Sequence, residues 1–323
     1  MGSPGAWHEG ELLLQARAGT ALRMEEVGRR FLRDHMPQQH RDFFAELPLL
    51  FAGTLDRTGQ PWAALLAGEP GFASSPDPQH LRIAPAWSEG LREPLQAGAA
   101  IGLLGLQAHT GRRNRLNGWV ESLAAGSFEL RVGQSFGNCP RHIHRRLATF
   151  APARDAATVT DLPRLDERAL GLIRGADTFF IATAHPLAAT ATDPAQGIDV
   201  SHRGGPAGFV QVADGDTLAV VDVDGNGFFN TLGNLQLEPR CSLLFVDFAR
   251  GERLQLAARA QLRWQQEARL VVLHVQAARF GRGGLPLQWR EMEAPAAGSI
   301  QDRSPSPVAP IPSAPLDRVE APK

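Results

Sequence analysis

The feature that most limits how this 323-residue chain can fold is an internal repeat. GEPGF (68–72) returns as GPAGF (205–209), DPQHLRI (77–83) as DGDTLAV (214–220), and AAIGLLGLQA (99–108) as CSLLFVDFAR (241–250). Gly111 and Gly251 each stand just before the strand that follows. The offset stays near ~140 residues and the order is kept, so one supersecondary unit is used twice.

Within each unit the pattern is a helix followed by short apolar runs between Gly/Pro turns. Leu22, Val27, Phe31 and Leu32 are helically spaced and predict a helix over 20–34, with a second over 39–46. Leu47–Leu55 and Trp62–Leu66, joined by the Gly-containing turn 56–61, read as a hairpin. Further strands are expected at 81–83, 99–106 and 119–123. Asn138-Cys139-Pro140 reads as an N-cap with Pro in the first turn, predicting a helix through Phe150. Past a polar connector (151–163), Asp166 caps a helix to Arg174, and strands are expected at 178–183, 209–212, 217–221, 242–248 and 254–262. The class is mainly β (α+β), with two tandem barrel-like units. The expected layout is an N-terminal helical segment (1–38), a first unit (39–150), a second unit (151–286) and a Pro/Ser-rich tail (287–323). The tail cannot bury enough apolar surface to offset its ordering entropy, so it is expected to be disordered.

Composition removes several function classes. Net charge is −1 and pI about 6.8, so the phosphate-neutralising excess of a nucleic-acid binder is missing. No apolar run approaches the ~18 residues of a membrane span, and the first residues lack the basic and apolar regions of a signal peptide. Two cysteines far apart fit a reducing cytoplasm rather than a disulfide framework. Lys323 is the sole lysine, which excludes Schiff-base chemistry and a Walker A loop.

HExxH, CxxC, G-x-S-x-G and GxGxxG are all absent, and no metal site is expected. His142 and His144 lie two apart on the expected helix and point apart. Cys139 reads either as a thiolate at a helix N-terminus or as a packed cysteine. No general acid or base can be named. Three of six asparagines fall in GNGFFNTLGNL (225–235); Asn226, Asn230 and Asn234 share a face if the segment is helical, and Thr231 adds a hydroxyl. Such a helix start suits a phosphate, or is simply a capped polar surface helix. Upstream, in DVSHRGG (199–205), strand alternation puts Ser201 and Arg203 on one face and His202 on the other. Arg203 reads as an anion ligand or an exposed turn arginine.

The stretch IDVSHRGGPAGFVQVADGDTLAVVDVDGNGFFNTLGNLQLEPRCSLLFVDF (198–248) resembles the flavin-nucleotide-binding branch of the pyridoxamine 5′-phosphate oxidase-like, FMN-binding split-barrel family, through its D-V-S-x-R-G, D-x-x-G-N and x-P-R elements. QSFGNCPRHIHRR (134–146) resembles segments of that family's long members, and the likeness covers roughly 40–280. It implies two split β-barrels, an FMN-dependent oxidoreductase passing electrons to oxygen or a small acceptor, and a donor such as NAD(P)H. It also implies a site between barrels, with the tandem units either forming a pseudo-dimer within one chain or pairing as a homodimer. Ser201, His202, Arg203, Asp222, Asn226, Asn230, Thr231 and Asn234 would hold the cofactor. The alternative is a non-catalytic split barrel that binds flavin, haem or a partner, or a structural β protein with no cofactor. The sequence departs from the pattern at Gly227 and Phe228, where a basic residue is common, and at Glu238, where Asn is common; a lost cation weakens phosphate binding. Arg112, Arg113 and Arg115 would supply charge from the first unit, or form a solvated basic hairpin.

Overall fold

A computed structural model describes residues 5–153, 155–265 and 268–292. Three helices come first, α1 (Glu9–Arg17), α2 (Ala21–Phe31) and α3 (Gln38–Ala45). Strands β1 (Leu49–Leu55), β2 (Pro61–Ala67), β3 (Ala73–Asp77), β4 (His80–Ile83), β5 (Trp87–Glu89), β6 (Ala100–Gln107), β7 (Arg112–Ala124) and β8 (Ser127–Gly137) follow. β9 (Arg146–Phe150) and β10 (Thr158–Leu162) lead to α4 (Glu167–Gly175). Then come β11 (Thr178–Ala184), β12 (Ile198–Gly204), β13 (Val210–Asp214), β14 (Thr217–Asp222), α5 (Asn230–Leu237), β15 (Arg240–Val246), β16 (Arg253–Gln265), β17 (Ala268–Arg282) and β18 (Leu287–Glu291).

The fold is α+β and mainly strand, with curled split-barrel sheets. One sheet runs β3-β4-β8-β7-β6-β1-β2, extended by β5; the other runs β13-β14-β17-β16-β15-β11-β12. Strand for strand these are the same antiparallel topology, each preceded by a helix, α3 or α4. Registers agree too. Leu49 pairs with Ala67 as Thr178 pairs with Gly204, and Asp77 faces His80 as Asp214 faces Thr217. The repeated G-x-x-G-F is the turn after β2 and after β12. Its second glycine, Gly71 or Gly208, has φ of 99° or 85°, a conformation only glycine adopts without strain. Its phenylalanine lies so close beneath Gly68 or Gly205 that a Cβ there would sit 2.6 or 2.7 Å from the Phe72 or Phe209 side chain.

The repeat is misaligned at one strand. Phe51 and Ala52 pair with Leu104 and Leu103, while Phe180 and Ile181 pair with Leu244 and Leu243. Leu104 therefore matches Leu244, a shift of two residues from the match of 99–108 with 241–250. Alternating apolar strands look alike after a slip of two, because both registers put the same side chains inward.

Each unit has its own core, one around Phe43, Phe44 and Leu116 and one around Phe179, Leu243 and Leu256. A third cluster joins them, drawing Leu49, Phe51 and Leu104 from the first unit and Phe180, Val200 and Leu244 from the second. Polar bonds cross the same boundary: the buried Arg253 pairs with Glu89, and Gln255 Nε2 donates to the carbonyls of Ala63 and Gly90.

Two expectations fail between and after the units. The helix predicted over 138–150 is a loop followed by strand β9, whose partner is β18. The Asn-Cys-Pro signal is local, whereas Leu147, Ala148 and Phe150 are ordered by pairing with a segment far away in sequence. For the same reason the tail does not begin unstructured at 287, since Leu287–Glu291 is that partner strand, with Leu287 buried in the inter-unit cluster. The expected disorder beyond 292 lies outside the described residues. Among the described residues no helix is long and apolar enough to cross a membrane.

Candidate functional site

The residues singled out in the sequence sit along β12, which is the edge strand of its sheet, and around α5. Alternation along β12 places them as expected from strand geometry. Val200 and His202 face the first unit, His202 meeting the Phe180 ring edge-on at 5.7 Å. Asp199 and Ser201 face α5, where Ser201 Oγ lies 2.6 Å from Thr231 Oγ1 and Asp199 Oδ2 accepts from Asn234 Nδ2 at 3.2 Å. Arg203 is half-buried and pairs with Asp222 at 3.5 Å.

The first unit completes this arrangement. Arg113, Arg115 and Asn117 alternate on β7 and so project to one side. Arg113 Nη1 donates to His202 Nδ1 at 3.1 Å. Arg115 donates to Ser201 Oγ, to Asn230 Oδ1 at 2.9 Å and to Asp199 Oδ1 at 3.3 Å. Asn117 Nδ2 donates to Asp199 Oδ1 at 2.7 Å. Of the three arginines considered in the sequence, Arg113 and Arg115 reach the second unit. Arg112 instead lies over the Phe43 ring.

Seven of the eight expected cofactor residues thus divide into two groups. Ser201, Asn230, Thr231 and Asn234 are buried in a closed, mutually bonded network. His202, Arg203 and Asp222 line an open pocket of about 290 Å3, together with Arg113, Cys139 and Phe209. Asn226 joins neither group. The helix starts only at Asn230, and the Asn226 side chain caps the Phe228 N–H locally at 3.1 Å. Cys139 borders the pocket from a loop, not from a helix N-terminus. Glu11, Asp199 and Asn117 were not named in the sequence, and Arg113 and Arg115 were named only as a source of charge from the first unit, outside the eight. The alternating R-x-R-x-N of β7 was the available signal for Asn117.

Charge in the open pocket is unbalanced. Burial pushes the Arg113 guanidinium down to about 10, with Arg115 and Arg203 adding repulsion. Among the described residues no carboxylate pairs with Arg113, and its buried Nε has no partner. His202 is held neutral, its pKa pushed well below the usual range by burial and then by Arg113 and Arg203. Asp222 is already engaged by Arg203 and by Arg269 Nε at 2.9 Å.

The same positions in the first unit are apolar. By register, Asp199, Ser201, His202 and Arg203 correspond to Trp62, Ala64, Leu65 and Leu66. The polar row therefore belongs to the second unit alone.

His8, Glu9 and His185 bring possible ligand atoms within 4.8 Å of one another. Both rings are committed otherwise. Nδ1 of His8 accepts the Gly10 N–H at 3.1 Å and Nδ1 of His185 accepts the Leu187 N–H at 3.1 Å, so in each ring Nε2 is the nitrogen that carries the proton. His185 Nε2–H then donates to Glu9 at 3.0 Å, which accounts for the trio without a metal.

No protein-family model matches the sequence, and no curated protein matches it. Solved structures similar to this chain include a candidate pyridoxamine 5′-phosphate oxidase from Lactobacillus delbrueckii (12% identity, 39% of this chain and 98% of that one, TM-score 0.27). Another is the haem storage protein HutZ from Vibrio cholerae (16% identity, 37% and 95%, TM-score 0.27). A third, from Clostridium acetobutylicum, is a protein of the pyridoxinephosphate oxidase family related to general stress protein 26 (9% identity, 39% and 92%, TM-score 0.26). At TM-scores this low the likeness says nothing about ligand or chemistry.

Proposed function

We propose that this chain binds a phosphorylated aromatic ligand of the FMN class in the pocket between Arg113 and Arg203. The observation that carries the reading is the unpaired Arg113. A partly buried guanidinium with no counter-charge is costly, and an anionic ligand is what relieves that cost. Arg203 lines the same pocket, close enough to repel Arg113, and Phe209 offers an aromatic surface. The volume is near the lower end of small-molecule sites, ~300–1,000 Å3.

When bound, FMN supplies hydride and electron transfer at its ring. This chain's own residues hold and orient: Arg113 and Arg203 take the anion, and neutral His202 fixes Arg113 through its Nδ1. Ligand binding is the reading that the pocket geometry supports most directly. Oxidoreductase activity is the additional expectation from the sequence resemblance.

The test is a visible absorbance spectrum of the protein before and after FMN addition and desalting, repeated with Arg113→Ala. Retained flavin bands, lost or weakened roughly 10–100-fold in the variant, support the assignment. A protein that stays colourless overturns it. Reduction of the retained flavin by NADH or NADPH then separates an oxidoreductase from a carrier.

A further inference from the structure

A second cavity, of about 250 Å3, lies between the two units. Its lining draws matching residues from both. Phe51 comes from β1 and Phe180 from the same position of β11, and Leu49 and Thr178 also match. Ala108 and Phe248, just past the ends of β6 and β15, are a third such pair. The ribbon of β9 and β18, which belongs to neither barrel sheet, supplies another wall. Its strands stand the repeat's ~140 residues apart and pair with each other about Ala148 and Trp289, both of which line the cavity. The cavity is therefore built around the relation that exchanges the two units, and the ribbon that covers it forms by joining segments from their two ends.

Packed interiors leave few voids larger than a water molecule. Here Leu106, Ala148, Phe150, Phe248 and Trp289 pack on the inter-unit cluster yet stay half-buried, with part of their apolar surface open around the cavity. Apolar surface gathered on a concave site is what a small ligand covers.

The charges of the lining select that ligand. Arg146 is already taken, by Asp177 at 3.1 Å and by Glu291 at 2.8 Å. His144 Nε2 is engaged with the Gly205 carbonyl at 2.9 Å. The exposed residues of the lining include Glu46 and Glu69, whose carboxylates repel an anion. The outer pocket has the opposite character, with Arg113 unpaired. The two are neighbours: His202 lines both, and the loop between them gives Ile143 and His144 to one and Cys139 and Arg141 to the other.

We infer that this cavity is a second binding site, which takes an uncharged, flat aromatic molecule. An apolar cavity of ~150 Å3 holds one benzene ring, so the larger volume here suits two fused rings. The inference goes beyond the anion pocket and does not depend on FMN being the ligand there.

The experiment is calorimetric titration of 2-naphthol and of 2-naphthoate into the full chain. The expected result is one 2-naphthol per chain, bound with a negative heat-capacity change, and 2-naphthoate at least about tenfold weaker. Saturating FMN leaves the 2-naphthol affinity unchanged. Ala148→Phe puts a ring into the cavity from the ribbon; it lowers 2-naphthol affinity at least about tenfold while the melting temperature holds or rises. Leu106→Phe does the same from β6, should the ribbon not tolerate the first variant. No binding of 2-naphthol, or undiminished binding in a folded variant, overturns the site. Equal affinity for 2-naphthoate overturns its assignment to an uncharged ligand. Displacement of 2-naphthol by FMN overturns a separate site and makes the cavity the ring end of the flavin pocket. A chain that binds 2-naphthol but stays colourless after FMN keeps this site and sinks the flavin reading.

Discussion

Phe51 and Phe180 stack face to face across the boundary between the two units, ring centroids 3.4 Å apart, and they occupy the same position in β1 and β11. Equivalent residues in mutual contact are the mark of a twofold interface. The tandem therefore folds as a pseudo-dimer within one chain, with this pair on its axis and the equivalent Leu104 and Leu244 in the same cluster.

Because both rings are at most 1% exposed, Phe180→Ala should cost about 3–5 kcal/mol, with Phe51→Ala similar. The double variant should cost less than the sum, since either deletion already removes the stack, worth about 0.5–1.5 kcal/mol. Urea unfolding of all four proteins reads this directly; strict additivity would mean that the rings pack independently.

Arg113 and Arg115 should behave in opposite ways although they are two residues apart. Arg113→Met removes a cation with no paired charge and should leave thermal stability equal or higher, while weakening anion binding. Arg115→Met leaves Asp199 buried without its cation and should cost about 3–5 kcal/mol. Calorimetry of the two variants separates them.

Acid should destabilise the fold well above the carboxylate range. Burial lowers both His8 and His40 to about 4. Unfolded, each titrates near 6.5, so between pH 6.5 and about 4 the unfolded chain binds more protons. Stability is then full above about pH 6.5 and falls as pH drops toward 4. NMR titration should show these two rings still neutral at pH 5.5, while His80, raised by its bond to Asp77, is charged.

The two thiols should differ in reactivity. Cys241 is fully buried, and burial pushes it up to about 12. Cys139 is partly exposed and borders the open pocket. A disulfide reagent should label one thiol in the folded protein, and FMN should slow that labelling. Two equally fast thiols would contradict the burial of β15.

Gly171 lies in the exposed middle of α4, with open space where a Cβ would go. Gly171→Ala should raise stability by about 0.8–1 kcal/mol on helix propensity alone. Gly208→Ala, also in open space, should instead destabilise because φ is 85° there. Thermal melts of the two variants should shift in opposite directions.

What could be read in the sequence was what local chemistry dictates. The hairpin at Asp56–Pro61, the Asp166 cap and the paired G-x-x-G-F turns each have a short-range cause, and each is present. β9 and β18 were illegible because each exists only through the other, ~140 residues away in sequence. Helix α1 was missed because its buried face is Gly10, Glu11, Leu14 and Gln15, which carries almost no apolar period. At the site, alternation along β12 and the four-residue spacing of Asn230 and Asn234 held. The division into a closed and an open half did not show, because it depends on α1 and β7 arriving from other parts of the chain.

Two identical barrels that pair must present every interface feature twice. Joining them covalently removes that obligation, and the chain uses the freedom: one half of the interface carries Asp199, Ser201, His202 and Arg203 where the other carries Trp62, Ala64, Leu65 and Leu66. The expected stoichiometry is accordingly one ligand per chain, half the ratio of sites to barrels in a symmetric pair. A single chain of this kind can respond to its ligand only hyperbolically, and any steepness in its binding curve must come from a second molecule.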